Sequence, residues 1–405
     1  MNVLFLSPGF PVEMPYFVRG LAQVGANTIG LGEQPRSLLP PMARAALGHY
    51  VQVASLWDEE QIVAEVRRLA GRIRIDRVEC LWEPGVILAA RLREALELPG
   101  MGVEQATTFR DKERMKQALD AAGIRTPRHR RARDESQYRE AAERIGFPLI
   151  VKPIAGAGSA DTYRVDGPDE LERVLPRVRH VQEVSVEEFV DGEEYTFDTI
   201  CSEGGIHYHN ISWYRPRPLL GRSIEWVSPQ TVALRDTERS ELRPGLAMGS
   251  AVLKALEFRT GFTHMEWFLT SAGEAVFGEI AARPPGALSV DIMNYACDLD
   301  TFRGWAEAVC FGRFDAPIER RYNAAVVFKR AVGNGRIRRI TGLERLISRF
   351  RPHIVSVDLL PVGSPRRNWK QTLLSDGHVI LRHPDLQATL GMADRFGTDL
   401  RLEAA

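Results

Sequence analysis

The sequence predicts a mixed α/β and α+β protein built from three units. These are a parallel α/β domain over residues 1–105, an α+β unit over 106–315 and a small α/β module over 316–405. Three observations predict this. Residues 1–105 alternate short apolar runs with helix-period segments, the pattern of a parallel sheet covered on both faces. From Thr107 onward, paired β-rich runs join the alternation, as they do when antiparallel strands and helices share a unit. A chain of 405 residues, 44% of them hydrophobic, exceeds the usual size of one domain.

The elements follow in order. Val3–Leu6 reads as a short buried strand ending in the Pro/Gly-rich loop Ser7–Pro11, and Phe17, Leu21 and Val24 follow at helical spacing. Asn27–Leu31 is a second strand. Ile62, Val63, Val66, Leu69 and Ala70 mark a second amphipathic helix, Arg77–Trp82 a third strand and Val86–Leu96 a third helix. The Ser7–Pro11 loop stands at a strand's carboxyl end, where ligands of such sheets usually bind, although a plain turn is an equal reading. Arg110–Ala122 is helical and stops at Gly123, and Asp134 with Gln137 opens the next helix. Strands are expected at Phe147–Lys152, Tyr163–Val165, Val184–Val190 and Tyr195–Ser202. Helices are expected at Asp169–Leu175, Thr237–Leu256 and Val290–Val309, with a hairpin over His264–Ile280.

Charge and composition exclude several functions. The 53 Lys+Arg balance 53 Asp+Glu, so electrostatic capture of nucleic acid or an anionic membrane is not expected. The basic run Arg125–Arg133 lacks interleaved aromatics and reads as a solvated strand and loop. Cys80, Cys201, Cys297 and Cys310 lie far apart without metal-ligand spacing, which suggests reduced thiols and a cytoplasmic protein. Neither a signal peptide nor a membrane span of about 18 apolar residues is apparent.

Three segments could carry chemistry. In HMEWFLTSAGEAVFGEIAARPPG (264–286), a turn at Ala272–Gly273 places Glu266 directly opposite Glu279, His264 opposite Ala281 and Phe268 opposite Phe277. On the other face Met265 meets Ile280, Trp267 meets Gly278 and Leu269 meets Val276. Opposed like charges are destabilising unless a cation lies between them, so Glu266 and Glu279 are candidate ligands of Mg²⁺; two solvated glutamates are the alternative. Arg283 follows, biased to an extended backbone by Pro284, and could neutralise a phosphoryl or carboxylate oxygen. In FPLIVKPIAGAGSA (147–160), Lys152 ends a nearly all-apolar strand, one of only six lysines in the chain. The small-residue run that follows, with Gly156, Gly158 and Ser159, could close its backbone N–H groups onto phosphate. The third segment, VEEFVDGEEYTFDT (186–199), reads as strand, Asp191-Gly192 turn and strand, and an acidic hairpin is its simplest reading.

Taken in order, these segments resemble the ATP-grasp superfamily, above all its carboxylate–amine ligases. D-alanine–D-alanine ligase and biotin carboxylase match segment by segment, most specifically over residues 107–286. The resemblance implies a two-lobed ATP-grasp domain with a lid subdomain over about 124–190, preceded by the α/β domain and followed by a cap. It also implies that ATP is contacted by Lys112 and Lys152 and covered by the loop holding Gly156, Gly158 and Ser159. The adenine would face the hinge Glu187, Glu188, Phe189 and Val190, with Glu194 on the ribose. Glu266 and Glu279 would hold Mg²⁺ or Mn²⁺, and Arg283 and Lys152 would act on the transferring phosphoryl. The family's usual Asn, two residues after the second acid, is Ala281 here. The implied reaction makes an acyl phosphate from a small-molecule carboxylate and ATP, then lets an amine attack it. Bicarbonate activation, kinase-like transfer and a non-catalytic nucleotide-binding module are the alternatives. Homodimers are frequent among such relatives. Arg215, Arg217 and Arg222 in WYRPRPLLGRSIEW (213–226) could clamp a substrate carboxylate, and an arginine-rich surface loop is an equal reading.

Overall fold

A computed structural model describes residues 1–156, 161–372 and 374–405. The N-terminal sheet is parallel throughout, in the order His49–Gln52, Asn27–Gly32, Asn2–Leu6, Arg77–Glu79. Val3 to Leu6 are fully buried because helices cover both faces of that inner strand. The strand His49–Gln52 is not apparent from the sequence. It is short, lies at the edge and is buried on neither face, so it carries no apolar run.

A second, four-stranded antiparallel sheet runs in the order His129–Ala132, Val184–Glu188, Leu149–Pro153, Tyr163–Val165. Alternation gives its two faces different partners. Ala132, Leu149, Val151, Val184 and Val186 pack against the helices Glu135–Ile145 and Pro168–Val178. The opposite face presents His129, Ser185, Glu187 and Lys152 toward the helix Lys112–Ala121, through Ser185 Oγ to Glu113 at 2.8 Å and His129 Nδ1 to Glu113 at 2.9 Å. Asp111 caps that helix by accepting from the Glu113 and Arg114 amides, both at 3.0 Å. It ends as expected before Gly123, whose φ is +73°.

The largest sheet has nine antiparallel strands. From one edge it runs Ala275–Ala281, Gly261–Leu269, Glu193–Ser202, Ser212–Arg215, Gln230–Ala233, Asn323–Phe328, Gly377–His383, Ile354–Leu359, with Gly205–Asn210 paired on Glu193–Ser202. One face buries Phe197, Met265, Trp267 and Ile280 under the helices Arg243–Ala255 and Leu386–Asp399. On the other face Phe262, Ile200 and Ala324 lie under helices that include Met14–Gln23 and Thr301–Phe311. Farther along the same two inner strands this face turns polar, with Asp198, Thr196, Glu194, His264 and Glu266. The candidate site is built there.

Three expectations need correction. The runs at 184–190 and 195–202 do not form a hairpin. They belong to different sheets, and residues 189–192 are the crossing between them. The expected helix 290–309 is two, Ser289–Cys297 and Thr301–Phe311, because Asp298 takes a φ of +50° and Asp300 caps the second by accepting from the Arg303 amide. The helix expected from Thr237 begins at Arg243. Among the described residues no helix is long and apolar enough to cross a membrane.

Candidate functional site

The strands Gly261–Leu269 and Ala275–Ala281 set the geometry. Glu266 stands directly opposite Glu279, His264 opposite Ala281 and Met265 opposite Ile280, as the periodicity predicts. Beyond Glu266 the register slips by one. Trp267 meets Phe277, Phe268 meets Val276 and Leu269 meets Ala275, not the partners expected for a tight Ala272–Gly273 turn. The loop is longer, closed by the Thr270 amide on Glu274 O (3.0 Å) and the Gly273 amide on Thr270 O (2.9 Å). The extra residue is absorbed as a bulge at Gly278, where a Cβ would stand 2.8 Å from Glu266 O. The bulge turns Phe277 onto the core face beside Trp267, so Phe277 does not flank the acids.

Lysines from the neighbouring elements converge on this pair. Lys112 Nζ lies 3.2 Å from Glu279 Oε2 and donates to Gly156 O at 2.8 Å. Burial would push Glu279 up, but Lys112 and Lys152 outweigh it and hold the carboxyl low. Glu187 takes Lys116 on one oxygen (2.6 Å) and Lys152 on the other (2.9 Å). Its side chain is therefore committed to two ammonium groups. Burial, and after it the adjacent Lys152 and Lys112, pull Lys116 down to about 8 against the attraction of Glu187. Sequence reasoning passed over Lys116. Its position one helical turn after Lys112 was the available signal.

Glu266 accepts from Tyr214 Oη at 3.3 Å and lies 3.5 Å from His264 Nε2. His264 Nδ1 shares a 2.6 Å hydrogen bond with Asp198, which also accepts from Thr196 and Asn210. Burial lowers the His264 pKa, yet Asp198 and Glu266 together push it up to about 9. Burial first, and then Glu266, push Glu194 up to about 8 against Arg217, whose Nε is 3.7 Å away. Asp198 and Tyr214 carry no local sequence signal, because only strand pairing brings Asp198 to His264 and Tyr214 to Glu266.

Arg283 is clamped by Glu83, with Nε and Nη2 both 2.7 Å from Oε2, while Arg110 takes the other oxygen. Burial would raise Glu83, but Arg283 and Arg110 hold it below the usual carboxylate range. Glu83, 200 residues from Arg283, is another residue the sequence did not reveal. At the crossing, Phe189 lies between the guanidinium groups of Arg164 (4.1 Å) and Arg217 (4.9 Å), and Arg217 donates to Val190 O at 2.8 Å. The Glu188 side chain is directed elsewhere, to Arg125 at 3.1 Å and the Arg128 amide at 3.1 Å. Of the three candidate clamp arginines, only Arg217 contacts expected site residues among the described residues, namely Phe189, Val190 and Glu194. Arg215 bonds Gln230 and Asp394, and Arg222 bonds Lys370 O. The run Arg125–Arg133 is ion-paired with Glu188, Glu183 and Asp111, in keeping with a structural role. Gly158 and Ser159 lie outside the described residues.

Two carboxylates with side chains 25% and 29% exposed form a hard-oxygen donor pair with solvent access. That donor chemistry fits Mg²⁺, which takes one or two protein carboxylates and fills its remaining positions with phosphate oxygens and water. Among the described residues no group of three or more His, Cys, Asp or Glu is assembled around a metal position, and Ala281 offers no side-chain donor.

Known proteins resemble this chain in sequence and architecture. A family model for the ATP-grasp domain matches residues 109–212. An L-arginine-specific L-amino acid ligase of Bacillus subtilis is 27% identical over 296 residues, 71% of this chain and 70% of that protein. An alanine–anticapsin ligase of Bacillus subtilis is 26% identical over 279 residues, 63% of this chain and 58% of that protein, so the chain spans little more than half of this relative. The crystal structure of an L-amino acid ligase from Bacillus licheniformis superposes with a TM-score of 0.80 at 20% identity, covering 100% of this chain and 98% of that one. At that identity the superposition establishes the fold.

Proposed function

Because the chain belongs to the ATP-grasp superfamily, of the carboxylate–amine ligase type, we propose that it forms an amide between two small molecules at the expense of ATP. The γ-phosphoryl passes to a substrate carboxylate, an amine attacks the acyl phosphate, and ADP, phosphate and amide leave. Amino acids are the substrate class, supported by relatives whose names describe amino acid ligation. The observation that carries this reading is the opposed Glu266–Glu279 pair, with Lys112 at 3.2 Å from Glu279 and with Lys152 and Arg283 close enough to feel both charges.

In this reading each residue has an electrostatic or positioning task, as phosphoryl transfer requires. Lys112 and Lys152 offset charge on the triphosphate. Arg283, held in place by Glu83, stabilises the transferring phosphoryl or the oxyanion that follows. Phe189 and Val190 border the base and Glu194 meets the ribose. Glu187 serves by fixing Lys152 rather than by touching nucleotide. The small sheet, residues 124–190, is the lid that keeps water from the acyl phosphate. Glu266 and Glu279 would hold Mg²⁺, or Mn²⁺, which supplies charge neutralisation to the phosphates when bound.

The test is mass spectrometry of products from ATP, Mg²⁺ and pooled amino acids, with ADP release followed in parallel. Amide and ADP in equal amounts are expected, and Glu279→Ala should slow ADP release by about 100-fold or more. Normal turnover in Glu279→Ala would overturn the assignment. ATP binding without ADP from any acceptor would instead favour a non-catalytic module, a reading that Ala281 alone supports.

A further inference from the structure

Three aromatic side chains gather on three loops at the carboxyl ends of the parallel strands. Phe10 follows Asn2–Leu6, Trp57 follows His49–Gln52 and Trp82 follows Arg77–Glu79. The Phe10 and Trp82 rings meet edge-on at 6.4 Å, and the Trp57 and Trp82 rings at 5.7 Å. Phe10 is 57% and Trp57 68% exposed, so much of their apolar area stays in water, where large rings gain little. Trp82 packs partly against the core of this sheet, whereas Phe10 and Trp57 stand outside it, the core being filled by residues such as Leu4, Ile29, Ile62 and Leu88.

Their place connects them to the site. Trp82 precedes Glu83, whose carboxylate clamps Arg283. The loop bearing Phe10 runs on to Glu13, whose side chain is buried. Trp82 is thus next in sequence to the acid that holds Arg283, and all three rings lie at the strand ends where sheets of this kind receive ligands. Three of the acids near the rings in sequence are already engaged. Glu83 holds Arg283 and Arg110, Asp58 caps a helix by accepting from the Gln61 amide, and Glu59 pairs with Arg91. An apolar occupant suits such a patch better than a cationic one.

We infer that Phe10, Trp57 and Trp82 form a subsite for a bulky apolar or aromatic side chain of an amino-acid substrate, next to Arg283. The inference deepens the ligase reading and rests on it for the reaction, but not for binding. The experiment compares the wild type with Phe10→Ala, Trp57→Ala and Trp82→Ala in two measurements. One is kcat/KM for amide formation from leucine, phenylalanine, alanine and arginine. The other is calorimetric binding of L-leucine alone. The ratio of leucine or phenylalanine to alanine should fall about tenfold or more, and L-leucine affinity should fall with it. Ratios and affinity both unmoved would overturn the subsite while amide formation in the wild type left the ligase reading intact. Selective loss of arginine would overturn it too, as would a change of oligomeric state by light scattering with unmoved ratios, which would make the patch a contact between copies. If the wild type made no amide but these variants still weakened leucine binding, the subsite would stand and the ligase reading would fail.

Discussion

Replacing Glu187 by Gln keeps the side chain's volume and removes the one negative charge that Lys116 and Lys152 share. Both contacts are short, 2.6 and 2.9 Å, and Lys116 is fully buried, so neither solvent nor salt can replace the lost carboxylate. Removing one partner of a buried ion pair costs about 3–5 kcal/mol, and with Lys116 losing its counter-charge while Lys152 keeps the attraction of Glu279 and Glu266, the lower half of that range is expected. The assay is urea unfolding of wild type and variant at a series of pH values, followed by circular dichroism. Burial pushes the Glu187 carboxyl up, but Lys116 and Lys152 outweigh it and hold the folded value below 4.5. The folded state therefore binds this proton more weakly than the unfolded chain does. The advantage of the wild type is complete above the ordinary glutamate range and disappears as pH falls through the folded value. Adding Lys116→Met to Glu187→Gln removes one stranded cation and should restore part of the loss. A Glu187→Gln protein within about 0.5 kcal/mol of the wild type at neutral pH, or a gap that persists undiminished in acid, would refute the reasoning.

Three further outcomes are expected. Arg217→Ala should raise the KM for ATP about tenfold with a smaller change in kcat, because it frees Val190 and Phe189, whereas Arg215→Ala and Arg222→Ala should leave amino-acid KM values unmoved; initial-rate kinetics check all three. Glu83→Gln should lower kcat by about 100-fold through loss of the Arg283 clamp, with Arg110 unable to replace it, and single-turnover rates of ADP formation measure this. Gly278→Ala should cost about 1–3 kcal/mol in urea unfolding, since its Cβ must displace the Glu266 carbonyl at 2.8 Å.

The parts of the site that follow from local periodicity were legible in the sequence. Glu266 and Glu279 share a face because strand alternation has a period of two, and Lys152 announced itself as an ammonium in an apolar strand. The helix stop at Gly123 obeyed local capping chemistry, whereas the start, expected at Arg110, lies at Lys112 behind the Asp111 cap. What depends on tertiary pairing was hidden. Lys116 and Glu187 are 71 residues apart, and nothing near either one marks them as partners. The slip at Gly278 follows from a loop one residue longer than a tight turn, which alternating hydrophobicity does not register. The crossing at 189–192 read as a hairpin because two strands with a glycine between them look alike whether or not they pair.

The strand Asn323–Phe328 hydrogen-bonds on one side to Gln230–Ala233 and on the other to Gly377–His383. A polypeptide trimmed at residue 315 would therefore not lose a detachable appendage. It would expose the raw edge of Gln230–Ala233, an adhesive row of unpaired amides and carbonyls inviting aggregation. During synthesis the same sheet stays unfinished until these residues have emerged, so its earlier strands need protection in the interval.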